Sequence, residues 1–179
     1  MHISDELRKT VTEKLKEDPK AMIFKLAKEL SVPEQVVMEC LPEEEMRRAD
    51  AHHFDEAMAM IATWGNVTTI LQTESMILEA KGMIPMGSHG HGYFNLMGGQ
   101  DYNVGGHIRA DLLSAIYFVK RPFMGMESMS VQFFTLSGAP MFKVYLGRDE
   151  KRQLLPLQIE YFMSLRDRIT SSKSCACCA

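Results

Sequence analysis

The chain has 179 residues, 46% of them hydrophobic and 24% charged, with a formal charge of -3, a composition that suits one globular domain with a substantial core. The slight negative charge gives no long-range attraction to nucleic acid or an anionic membrane. No apolar run approaches the roughly 18 residues of a membrane span, and the start Met1-His2-Ile3-Ser4 lacks the regions of a signal peptide, so the expectation is a cytoplasmic protein with neither nucleic acid nor membrane as a partner.

The first third reads as helices. Leu7, Val11 and Leu15 recur on one face after Ser4, and Asp18-Pro19 then caps a second set at Met22, Ile23, Leu26 and Leu30. A short third helix starts near Pro33, uses Val36, Val37 and Cys40, and ends at Pro42 and the run Glu43-Glu44-Glu45. Ala27, the Ser31-Val32 turn and Val37 fall about where a helix-turn-helix packs its two helices, but Glu34 and Glu39 would present carboxylates to phosphates. Residues 1–48 are therefore expected to be a helical region packed on the main domain. A fourth helix is predicted from about Asp50 to Trp64, with Gly65 as its stop. His52 and His53 sit in its first turn, where neighbours point about 100° apart and do not form a chelating pair.

After Gly65 the periodicity switches to alternation. Val67, Thr69 and Leu71 oppose Thr68, Ile70 and Gln72, a turn at Glu74-Ser75 follows, and Met76-Ile77-Leu78 runs on to a break at Gly82. Further strands are predicted over Gly92 to Met97, Val104 to Ala110, Leu113 to Lys120, Met129 to Leu136 and Met141 to Leu146. Their short connections favour antiparallel neighbours, because parallel crossovers need a dozen residues or more. A last helix begins near Pro156 and carries Ile159, Phe162 and Leu165. The order predicts an α+β domain over 49–169, with a large antiparallel sheet between N-terminal helices and a C-terminal helix. Cys175, Cys177 and Cys178 crowd residues 170–179, expected to be a disordered tail with reduced thiols.

Between Gly87 and His107 lie seven of the twelve glycines, three of the six histidines and two of the five tyrosines. Glycines in hairpins beside surface histidines would account for such a run, and so would a ligand site. On a strand through Val104 to Ala110, Gly105, His107 and Arg109 share a polar face, as do Tyr93, Asn95 and Met97 on the strand before it. Zinc would take His89, His91 and His107 but lacks a fourth ligand. Acid-base catalysis would pair His107 with Asp101 or Asp111, yet no triad or nucleophile motif orders them. The glycines do not open a helix in the order that nucleotide binding requires. Haem wants an apolar face, an axial ligand and cations for two propionates. His107 or Tyr93 offers the ligand; Phe94, Met97, Phe123, Met124 and Met126 offer the face; Arg109, Lys120 and Arg121 offer the cations.

Five ordered blocks carry a resemblance: W-G-N-V-T-T-I-L from Trp64, G-S-H-G-H-G-Y-F-N-L from Gly87, G-G-H-I-R-A from Gly105, F-M-G-M from Phe123 and F-K-V-Y-L-G-R-D from Phe142. From about Asp50 to Arg168 the chain resembles the ChuX/HutX family of intracellular haem-utilisation proteins. The resemblance implies a homodimer with a saddle-like antiparallel sheet, similar to half of the repeated haem proteins of the same systems. It also implies a protein that binds haem after import and delivers it to a haem-receiving protein for degradation or storage. The alternative is an enzyme that opens the ring or removes iron. The family histidine falls on His107 and a tyrosine ligand on Tyr93. Some relatives carry a histidine where this chain has Gln72, and an amide is a poor ligand for ferric haem.

Overall fold

The structure is a computed structural model that describes residues 3–102, 104–123 and 125–170. Met124 and the cysteine tail lie outside the described residues. Helix α1 (Asp5–Glu17) starts where the Ser4 hydroxyl accepts from the Leu7 amide, and its buried Val11 meets Leu26, Ala27 and Val37 of α2 (Ile23–Glu29) and α3 (Glu34–Met38). All five residues of α3 are buried. A helix-turn-helix reading therefore fails for lack of a free face, and Glu34 is not displayed outward: it pairs with Lys143, and both side chains are buried.

Two sheets follow. The larger is antiparallel, in the order β1 (Met46–Asp50), β7 (Leu113–Lys120), β8 (Met129–Thr135), β9 (Pro140–Tyr145), β2 (Val67–Gln72), β3 (Ile77–Gly82). The smaller holds β4 (Gly87–Gly90), β5 (Tyr93–Leu96) and β6 (Gly106–Ile108), also antiparallel. Five of the larger sheet's strands stand close to where alternation predicts them. The sixth, β1, was not predicted: Met46-Arg47-Arg48-Ala49-Asp50 pairs with β7 from Met46↔Val119 to Asp50↔Ala115. The expected fourth helix consequently starts later, with a 3-10 turn at Ala51–His53 and then α4 (Phe54–Ile61).

Alternation along β7, β8 and β9 divides the larger sheet into two unlike faces. Ile116, Phe118, Val131, Phe133, Phe142 and Val144 turn toward α4 and α5 (Pro156–Thr170) and form the main core with Met58, Ile61, Phe162 and Leu165. Each such large side chain withdrawn from water contributes roughly 1.5–3 kcal/mol. The opposite face carries the cross-strand rows Tyr117, Gln132, Lys143 and Val119, Ser130, Tyr145, and Met38, Leu41 and Met46 pack on its apolar members. Burial, with Glu34 nearby, pushes the Tyr145 phenol up to about 12. Gln158 of α5 ties the layers together, donating to the Trp64 and Asn66 carbonyls and accepting from the Gly147 amide.

Candidate functional site

The glycine-rich run builds the smaller sheet. Gly90 pairs with Tyr93 across a two-residue turn in which His91 and Gly92 both have positive φ, 53° and 79°, the geometry that matches the twist of two antiparallel strands. Here the chain needs glycine for a hairpin. His89 reaches Asp55 of α4, with its Nε2 2.8 Å from the carboxylate. Among the described residues no three His, Cys, Asp or Glu side chains gather as a metal cluster, so the zinc arrangement of His89, His91 and His107 does not form.

Strands β5 and β6 bring the expected ligands together. Asn95 pairs with His107 and Phe94 with Ile108, so Tyr93, Asn95, His107 and Arg109 share the outer face while Phe94, Leu96 and Ile108 turn to the core. Phe94 is thereby removed from the predicted haem face, at 5% exposure. The Tyr93 and His107 rings lie 5.8 Å apart between centroids, and the Arg109 guanidinium carbon stands 5.9 Å from the Tyr93 ring centre, within range of a cation–π contact. His107 Nδ1 is 2.6 Å from Asn95 Oδ1. Asp111 takes two hydrogen bonds from Arg109, from Nε at 2.8 Å and Nη2 at 2.6 Å. Those bonds hold its carboxyl below the usual carboxylate range.

Beside β6 lies a groove of about 350 Å³, walled by Leu71, Leu96, Ile108, Leu112 and Met141, with His107 and Arg109 on its lining. Thr69 also lines it, and the Thr69 hydroxyl is buried without a partner among the described residues. Met97 is 63% exposed just beyond β5.

The other predicted members sit elsewhere. Arg121 is buried, donating to Glu45 and to the Pro19 carbonyl, and it lines a cleft under α2 together with Phe123. Phe123 packs at 6.1 Å from the Tyr145 ring and bridges to Met126. Lys120 closes β7 at the end remote from Leu113, roughly 23 Å of strand away at about 3.3 Å per residue. Arg121 and Phe123 thus line a different cleft from the groove that His107 and Arg109 line. Gln72 also lies away from His107, on the opposite face of β2 from Thr69, 3.5 Å from Lys143 Nζ. Asn95 was visible as a polar neighbour of Tyr93. Its role as the partner of His107 depends on the β5–β6 register.

The model of the family "Haem utilisation ChuX/HutX" matches residues 47–165. The chain belongs to the ChuX/HutX family. It is 37% identical over 164 residues to the intracellular heme transport protein HutX of Vibrio cholerae serotype O1, covering 92% of this chain and 84% of that one. A crystal structure of a protein from Erwinia carotovora superposes with a TM-score of 0.84 at 42% identity, covering 89% of this chain and 98% of the other. The structure of the heme-binding protein ChuX superposes with a TM-score of 0.80 at 37% identity, over 88% and 97% of the two chains. The expected likeness to half of a repeated fold is also present. The heme-degrading enzyme ChuS of Escherichia coli O157:H7 matches 88% of this ChuX/HutX chain with 44% of its own length, at a TM-score of 0.70 and 15% identity.

Proposed function

We propose that this protein is a cytoplasmic haem carrier that accepts haem after import and passes it, chemically unchanged, to a haem-degrading or storage protein. The observation that carries this reading is that the β5–β6 strand pair carries three requirements of a porphyrin, two candidate iron ligands and a cation on its outer face and an apolar groove along its inner one. The groove beside β6 is apolar, at about 350 Å³, a volume inside the usual range of small-molecule pockets. His107 and Tyr93 supply a lone pair for iron within one ring contact, and Arg109 supplies a cation at the rim. Relatives named for intracellular heme transport and heme binding support the same reading.

His107 and Tyr93 are both exposed, which suits a carrier because a ligand must be reached before it can be handed on. The carrier acts as a homodimer. Among the described residues no helix is long and apolar enough to cross a membrane, in keeping with carriage through the aqueous phase.

Adding hemin to the purified full chain is expected to give a saturable shift of the Soret band. His107→Ala and Tyr93→Phe are expected to alter that spectrum to different extents, and the variant that changes it identifies the iron ligand. No shift beyond that of an unrelated control protein would overturn the carrier reading.

A further inference from the structure

The Asn95 amide is held in one orientation by three backbone carbonyls. Its Nδ2 lies 3.1 Å from the Gly90 oxygen, 3.3 Å from the Ser88 oxygen and 3.4 Å from the Tyr93 oxygen. Turning the amide over would bring Oδ1 against three acceptors and lose every one of those bonds, so the hydrogen-bond network assigns Oδ1 to the His107 side. An amide oxygen only accepts. The 2.6 Å contact with His107 Nδ1 therefore requires the proton on Nδ1, which in the neutral ring leaves the Nε2 lone pair bare. An unrestrained neutral histidine prefers the opposite form, with its proton on Nε2, and His107 is exposed enough to adopt it.

We infer that Asn95 is a positioning residue that fixes the tautomer and ring orientation of His107, so that Nε2 is the atom offered to haem iron. The inference rests on the haem-carrier reading and deepens it, because it chooses His107 over Tyr93 as the axial ligand. Metal-bound histidines are commonly held in this way, by an acceptor on the nitrogen that does not bind the metal. The cross-strand register explains how the sequence achieves it. Asn95 stands directly opposite His107, and the same amide braces the β4–β5 hairpin through Gly90 and Ser88. Building the hairpin and orienting the ligand are one hydrogen-bond network.

Two measurements on the full chain separate this inference from the reading beneath it. Nitrogen-15 NMR of histidine-labelled protein without haem, recorded where His107 is neutral, reads the tautomer directly. Wild type is expected to show the Nδ1–H form, Asn95→Ala predominantly the Nε2–H form, and Asn95→Asp, which keeps an acceptor oxygen but loses the Nδ2 donors, the Nδ1–H form again. Equal behaviour of the Ala and Asp variants would mean that Asn95 only braces the hairpin, and would overturn the inference. With hemin bound and reduced, resonance Raman is expected to show an iron–histidine stretch in wild type that weakens in Asn95→Ala, with an affinity loss of about tenfold. Hemin bound with a phenolate spectrum that Asn95→Ala leaves untouched would remove Asn95 and His107 from the iron while the carrier reading stood. Failure of wild type to bind hemin at all would remove the carrier reading itself.

Discussion

Arg109 faces Tyr93 on one side and Asp111 on the other, and that second contact decides what a propionate meets. Two hydrogen bonds at 2.8 Å and 2.6 Å engage the guanidinium with Asp111, so an incoming carboxylate must share or displace a carboxylate already there. Both side chains are about half exposed, which keeps the pair weak and salt-sensitive. Asp111→Asn is therefore expected to tighten hemin binding several-fold at low ionic strength, with the gain shrinking as salt rises. Arg109→Ala is expected to loosen it roughly tenfold with the ligand spectrum retained. Hemin titrations of the two variants at two salt concentrations check both, and weaker binding by Asp111→Asn would remove Arg109 from the propionate. The grouping of Tyr93, His107 and Arg109 was legible in the sequence because alternation along a strand is local. The placement of Arg121 away from that group was not legible, because a basic residue near a ligand block looks the same whether it is free or engaged. Only the fold brings Glu45 and the Pro19 carbonyl to it.

At the scale of the elements, the smaller sheet depends on close approach as well as on its turn. A Cβ on Gly87 would stand 2.2 Å from the Phe94 ring, and Phe94 is a core residue packed edge-on against Phe54 at 5.1 Å. The ring has nowhere to retreat without opening that contact. Gly87→Ala is expected to destabilise the fold by about 1–3 kcal/mol, read as a lower midpoint in denaturant at unchanged slope, and an unaltered midpoint would mean that the ring moves freely. This glycine was visible in the sequence, but its reason was not, since the ring it accommodates lies across a strand pair. Strand β4 was missed on similar grounds: Gly-Ser-His-Gly has almost no β-propensity and is extended because β5 pairs with it. Strand β1 was hidden by its charges, since Arg47, Arg48 and Asp50 suggest a connection and only Met46 and Ala49, on opposite faces, are buried. Helices α1, α2 and α5 were legible because their apolar repeats, caps and prolines are carried within each element.

The whole molecule is a sheet covered on both faces, and one cover buries two phenols that respond to pH. The Tyr145 phenol, raised to about 12 by burial, is joined on the same face by Tyr117, raised further by burial and by its hydrogen bond to Glu39. A phenol whose folded pKa lies above its unfolded value of about 10 leaves stability intact below pH 10. Above it, the unfolded chain loses its proton first, and stability falls by roughly 1.4 kcal/mol per pH unit for each such phenol until the folded value is passed. Titration of tyrosinate absorbance is expected to show Tyr145 and Tyr117 ionising only as the fold opens above pH 10, and their ionisation near pH 10 with the fold intact would refute it. The cover is incomplete at one edge. Strand β3 closes the larger sheet with Ile77 and Leu78 at 56% and 46% exposure, beside Met76 at 53% and Leu71 at 41%. An apolar edge strand left open pairs with other chains indiscriminately, whereas pairing with a second copy in a closed two-fold satisfies it once. The proposed homodimer is expected to use β3, and Ile77→Lys together with Leu78→Lys is expected to convert it to a monomer in sedimentation equilibrium. The circular dichroism spectrum should stay unchanged, because neither side chain belongs to a buried cluster. Wild type sedimenting as a monomer at concentrations that bind hemin would overturn the dimer, and a dimer that survives both lysines would move its interface away from β3.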